Sequence, residues 1–204
     1  MRMIKIAEKP CAAAIVAALV VAIAIAMAVV PAGAKSKDKD KDDYKKHPGY
    51  VDFEAMGVFG DLESAVEVLL KGPMLDIAKN AVEEDDPELA GVLGGLKLVR
   101  VQVFNLDRSS TKEVRERTKA AAAELEKRGW EIMVRVREDD ENVYVYTLPS
   151  KKGDMIDGMV VMVVDDGDEA VFVNIAGTID PAQMGKLGES FHLNELGDIN
   201  IDFN

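Results

Sequence analysis

The chain has 204 residues, 48% of them hydrophobic but only 5% aromatic, and 37 acidic side chains against 25 basic ones give it a formal charge of −12 at pH 7. That balance repels phosphate backbones and anionic lipid, so nucleic acid is excluded as a partner and a cationic ligand or surface is favoured. A single cysteine, Cys11, excludes an internal disulfide, so stability must come from a packed core.

The chain opens on Arg2, Lys5 and Lys9, followed by an unbroken apolar run over residues 12–30 and then Pro31, Ala32, Gly33 and Ala34. A positive head, a greasy middle and a small-x-small site are the three parts of a secretory signal, with cleavage expected after Ala34 and Lys35 as the first residue of the mature chain. The run exceeds the roughly 7 to 15 residues of an ordinary signal core, so the alternative is an uncleaved membrane anchor. Its many alanines drive insertion weakly. Cys11 precedes the run, whereas a lipoprotein cysteine would follow it. Cleavage would place the protein in the periplasm or outside the cell, with no stable membrane insertion. It would also remove three basic residues and one acidic one, Glu8, leaving the remainder more acidic still.

Residues 35–48 begin KSKDKDKDDYKK, which interleaves opposite charges with almost nothing apolar and reads as a solvated tether. Asp38, Asp40 and Asp42 have the alternating spacing of a calcium loop, but the intervening lysines neutralise it and its glycine and closing glutamate are missing. One folded unit is expected over residues 49–204.

Val66, Val68 and Leu70 alternate with Glu67, Leu69 and Lys71 as a strand, which Gly72 and Pro73 end while starting a helix. Asp86 and Pro87 repeat that device for a second helix. Val99, Val101 and Val103 give the next strand an aliphatic face. Ser110 and Glu113 read as the capping box of a helix whose Val114, Thr118, Ala121 and Leu125 share one face and which Gly129 closes. Four strands then follow, over 130–137, 142–148, 155–164 and 170–176, joined by short turns as an antiparallel meander. The run Met159 to Val164 does not alternate, as expected of a central strand covered on both faces. Asp180, Pro181 and Gln183 start a last helix with a Met184, Leu187, Gly188 and Phe191 stripe. Together these predict a single layered α+β domain: a mixed, largely antiparallel sheet with helices packed mainly on one face.

VEVLLKGP (66–73), DPEL (86–89) leading into LKLVRVQVF (96–104), and VNIAGTIDPAQMGKLG (173–188) resemble the bacterial family called domain of unknown function 4252. The resemblance implies an exported, uncharacterised envelope protein and supplies no catalytic residues.

The usual chemical signatures are missing. There is no glycine-rich phosphate loop and no paired-cysteine metal site. His47 and His192 have no partner at ligand spacing and read as solvent-facing or capping groups. Ser190 lies near His192 but lacks the strand-to-helix elbow of a nucleophile. An antiparallel meander does bring one constellation together. Its first and third turns lie at the same end of the sheet, so Glu138, Asp139, Asp140, Glu141, Asp165, Asp166, Asp168 and Glu169 share a rim, with Lys151 and Lys152 at the other end. The ordinary reading is turn chemistry; the sharper one is a site for calcium or a cationic partner. Ile199, Ile201 and Phe203 alternate at the C-terminus, and Tyr50 to Phe53 near the start show a related pattern. Both are expected to cover sheet edges, or else to add a strand to a partner's sheet. The functional expectation is an exported, soluble, non-catalytic binding or accessory module of the bacterial cell envelope, binding an envelope protein or a cationic ligand. The alternatives are an enzyme with a carboxylate-based site and a structural oligomer.

Overall fold

The computed structural model describes residues 43–137, 141–151, 153–165 and 169–182. In chain order these form β1 (Val66–Lys71), α1 (Pro73–Val82), α2 (Pro87–Gly95), β2 (Leu96–Asn105), α3 (Arg108–Lys127), β3 (Glu131–Arg137), β4 (Glu141–Pro149), β5 (Ile156–Asp165) and β6 (Glu169–Ile179). The strands make one sheet in the order β1-β2-β6-β5-β4-β3, every pair antiparallel. The last four are the expected meander, with β5 well inside the sheet and Val160, Met162, Val163 and Val164 fully buried.

Period-two alternation divides the side chains between two faces. Phe104, Tyr144, Tyr146, Val160, Met162 and Phe172 face α3, which lays Val114, Ala121, Ala122 and Leu125 on them. Val99, Val101, Val163, Val171 and Val173 point the other way, and α1 and α2 bring Leu75 and Leu93 to that side. The long helix thus takes one face and the two short helices the other.

Helix starts follow local chemistry. Asp86 accepts the Leu89 N–H at 2.9 Å, as its position before Pro87 predicts. The capping box of α3 lies three residues earlier than Ser110 and Glu113. Asp107 is the N-cap, accepting the Ser109 and Ser110 N–H groups at 3.0 and 2.8 Å, while Ser110 Oγ accepts the Asp107 N–H at 2.7 Å. Serine here is the reciprocating partner because a carboxylate one turn earlier is the stronger acceptor for a helix N-terminus. The hydrogen bonds from Ser110 and Ser109 hold the Asp107 carboxyl down at about 2. Glu113 instead pairs with Arg117 at 2.6 Å, one turn along. Gly129, at φ 88°, closes the helix as expected.

The N-terminal segment departs from expectation. Asp43–Lys46, placed in the tether by composition, form a 3-10 turn, and Tyr44 packs edge-on to Tyr50 with ring centroids 5.6 Å apart. Residues 50–53 were expected at a sheet edge. They form no strand and lie across the α3-covered face, with Val51 and Phe53 buried. The reason is that Asn174, on β6, offers side-chain hydrogen bonds where an edge would offer backbone ones. The last expected helix is described only to Ala182, whose N–H is accepted by Asp180 at 2.9 Å. His192, Ser190 and the alternating residues 199–203 lie outside the described residues.

Candidate functional site

On β2, residues two apart share a face, so Arg100, Gln102 and Phe104 emerge together on the α3 side of the sheet near its β1 edge. The chain opposite them is bent by two consecutive turns. Asp52 Oδ1 accepts the Ala55 N–H at 3.0 Å, and the Val58 N–H reaches the Phe53 carbonyl at 3.1 Å, with Gly57 supplying the left-handed φ of 70°. Glu54 is thereby held over the sheet. Phe59 follows, buried on Phe104 with centroids 4.1 Å apart and on Phe172 at 4.8 Å.

Between this loop and β2 lies a cleft of about 440 Å³, lined by Glu54, Phe59, Gly60, Leu62, Glu63, Ser64, Gln102 and Phe104. Phe59 and Phe104, themselves buried, back the cleft, and Glu54 and Glu63 stand among its lining. Arg100 donates to Glu54 at 2.7 Å and to Glu67 on β1 at 2.8 Å, while Gln102 donates to Glu54 at 3.3 Å. Burial works against the Arg100 charge, but the hydrogen bonds and charges of Glu67 and Glu54 outweigh it and raise its pKa. One guanidinium therefore answers two carboxylates, and Glu63 adds a third that has no ion pair among the described residues. The Arg117 guanidinium, paired with Glu113, lies against Gly60 on the wall of the cleft. Beside it, the edge strand β1 exposes Val66 and Leu69.

This site was not legible in the sequence, because Glu54, Glu63 and Gln102 belong to segments that only the fold brings together. One signal was present. Arg100 and Gln102 alternate with valines on a strand that is internal to the sheet, so that their face has to be covered by polar partners.

Of the eight carboxylates assigned to the rim of the meander, Glu138, Asp139, Asp140, Asp166 and Asp168 lie outside the described residues. The strand pairing sets Glu141 opposite Asp165 and Glu169 opposite Asn105, so these three acidic strand positions lie at the same end of the sheet, the end at which Phe104 lines the cleft. Burial, and then the Asp165 charge, push the Glu169 pKa up. Among the described residues no three His, Cys, Asp or Glu side chains converge as a metal site. His47 Nδ1 accepts the Gly49 N–H at 3.2 Å, and burial pushes its pKa down. No helix among the described residues is long and apolar enough to cross a membrane.

A single antiparallel sheet between one long helix and two short ones, with a polar cleft at one edge, defines a layered α+β domain. Residues 59–187 match the family described as Domain of unknown function (DUF4252). The match spans well over half of the chain, so the protein belongs to that family. None of the curated proteins searched matches it.

Proposed function

We propose that this protein is an exported, soluble, non-catalytic binding module of the bacterial cell envelope, and that the cleft beneath Glu54 and Glu63 takes a cationic group of its partner. The observation that carries the reading is the pair of carboxylates in the cleft, Glu54 and Glu63, of which Glu63 has no ion pair among the described residues. A lysine or arginine side chain can lay its aliphatic stem along the half-buried Leu62 and leave its charge at the glutamates. The overall acidity steers such a partner inward. Export rests on the signal-like first 34 residues, and mass spectrometry of the exported protein is expected to find Lys35 as its first residue.

Titrating tetralysine into the protein at low salt tests the cleft. Glu63→Gln combined with Glu54→Gln is expected to weaken binding roughly tenfold, as removal of close charge partners does. Unchanged binding in that double variant, with loss on Asp165→Asn and Glu169→Gln, would transfer the cation site to the rim at Asp165 and Glu169.

A second reading, a carboxylate-based envelope enzyme, draws on one observation. Burial and then the Asp165 charge raise the Glu169 pKa, the direction that suits a general acid. A hydrolytic activity abolished by Glu169→Gln and by Asp165→Asn alike would favour it over the binding module.

A further inference from the structure

The exposed large hydrophobic side chains among the described residues gather at the two edges of the sheet: Val66 and Leu69 on β1, Met74 in the first turn of α1 just after it, and Ile132 and Met133 on β3. An edge strand turns alternate backbone N–H and C=O groups away from its one neighbour, so apolar side chains beside them invite another strand. The two edges are guarded differently. β3 has a register shift between Ile132 and Val134, and such a bulge twists an edge away from pairing; its Arg135 is also bonded to Glu126 and Tyr146. β1 runs against β2 from Val66 to Lys71 in unbroken register, so its outer side is regular along its whole length.

The order of residues along β1 decides what can pair with it. Alternation puts Glu67, Leu69 and Lys71 on the α3 side, and Val68 and Leu70 on the other, where both join the aliphatic cluster. Antiparallel pairing with β1 of a second copy, with Leu69 opposite Leu69 on the two-fold axis, sets Glu67 opposite Lys71 twice and Val68 opposite Leu70 twice. Arg100 holds Glu67 from behind at 2.8 Å and leaves its side chain 40% exposed, while Lys71 sits over the Tyr44 ring at 4.7 Å. Val66, 49% exposed, comes opposite Gly72, where even an added Cβ would meet nothing within 4 Å, and beside Met74. This register covers the exposed apolar side chains of the edge and crosses opposite charges. Centring the pairing on Glu67 or Lys71 sets like charges face to face, and centring it on Val68 or Leu70 sets Leu69 against a charge.

We infer that the outer edge of β1 is a self-association surface, through which two copies of this chain join in antiparallel pairing centred on Leu69 to make one continuous sheet across a two-fold axis. Such a contact uses the same strand on both copies and closes on itself, so it gives a dimer and not a fibre. A short strand on each side is a small interface, and the dimer is accordingly weak and reversible. The inference rests on β1 alone and not on the cation reading of the neighbouring cleft.

Sedimentation velocity of the full chain, in a concentration series from micromolar to millimolar, reads the balance of monomer and dimer. The dimer is expected to grow with concentration. Lys71→Glu sets two carboxylates against each other at each crossing and Glu67→Lys two ammonium groups, so each is expected to weaken the dimer roughly tenfold or more. An equimolar mixture of the two variants brings opposite charges together again at both crossings and is expected to associate as the parent does, a recovery that misfolding of either could not give. Leu69→Lys, at a position 38% exposed, is expected to abolish the dimer while the thermal midpoint of the monomer stays nearly unchanged. Met133→Lys, on the other edge, is expected to leave the dimer intact. The inference is overturned if the parent stays monomeric into the millimolar range, if the mixture associates no better than its parts, or if Met133→Lys rather than Leu69→Lys abolishes association.

Discussion

The side chain of Asn174, on the internal strand β6, accepts the backbone N–H of Val51 at 2.9 Å across 123 positions of sequence. Its amide also donates to the Gly49 carbonyl at 2.9 Å, so one buried residue ties down both polar groups of a segment that pairs with no strand. Asn174→Ala leaves a buried donor and a buried acceptor unpaired at once. At about 1–3 kcal/mol for each unsatisfied group, the expected loss is about 2–6 kcal/mol, read from the denaturant midpoint with Trp130 fluorescence as the probe. A loss under about 0.5 kcal/mol would mean that water replaces the amide without cost.

The same segment sets a boundary that differs from the family match. The match begins at residue 59, yet Val51, Phe53 and Val58 are at most 1% exposed and Phe53 lies 5.3 Å from Phe172. Burying each such side chain contributes about 1.5–3 kcal/mol, so removing all three takes away roughly 5 kcal/mol or more, comparable with the whole stability of an ordinary domain. A chain begun at residue 59 is therefore expected to be unfolded or to aggregate, whereas one begun at Asp43 gives a cooperative transition. Equal thermal midpoints for the two would show that residues 49–58 are an accessory strap.

Close approach of this strap to the sheet depends on Gly158. A Cβ there would stand 2.6 Å from Gly49 Cα and 2.9 Å from Trp130 Cη2, so backbone on one side and a buried indole on the other leave it no room. Gly158→Ala is expected to cost about 1–3 kcal/mol, as overpacking does, and to change the near-ultraviolet signal of Trp130. Gly129→Ala makes a useful contrast. Beyond its chain neighbours nothing lies near its Cβ, but its φ of 88° is strained for alanine, so it should destabilise through the backbone alone, with no overpacking.

These contacts mark where the sequence was legible. The strand alternation of Val99, Val101 and Val103, the Asp86 cap before Pro87 and the unalternating run at Val160 to Val164 are local or nearly local signals, and each element formed where its pattern lies. Asp107 and Ser110 show the limit of even a local rule. Several short polar residues in a row can each cap a helix, and which one does so depends on which acceptor reaches the free N–H groups best. Val51 and Phe53 alternate as a strand does, but their partner is a side chain more than a hundred residues away, which no period encodes. The acidic cleft was hidden for the same reason, since it joins residues 54–64 to 102–104.

Glu169 gives a prediction whose sign is fixed by the direction of its shift. Burial, then the neighbouring Asp165, raise its folded pKa above the ordinary 4.5, so the folded protein holds this proton more tightly than the unfolded chain does. Its contribution to stability is then fully present below about pH 4.5 and is lost as pH rises through the folded value, which leaves a standing penalty at neutral pH. Glu169→Gln keeps the shape and removes the charge. It should raise the denaturant midpoint at pH 7, and its advantage over the parent should vanish below pH 4.5. Asp165→Asn should give a smaller gain at pH 7, because it removes only the second of the two causes. A Glu169→Gln chain that is less stable than the parent at pH 7 would show that the ionised carboxylate has a favourable partner at this end of the sheet.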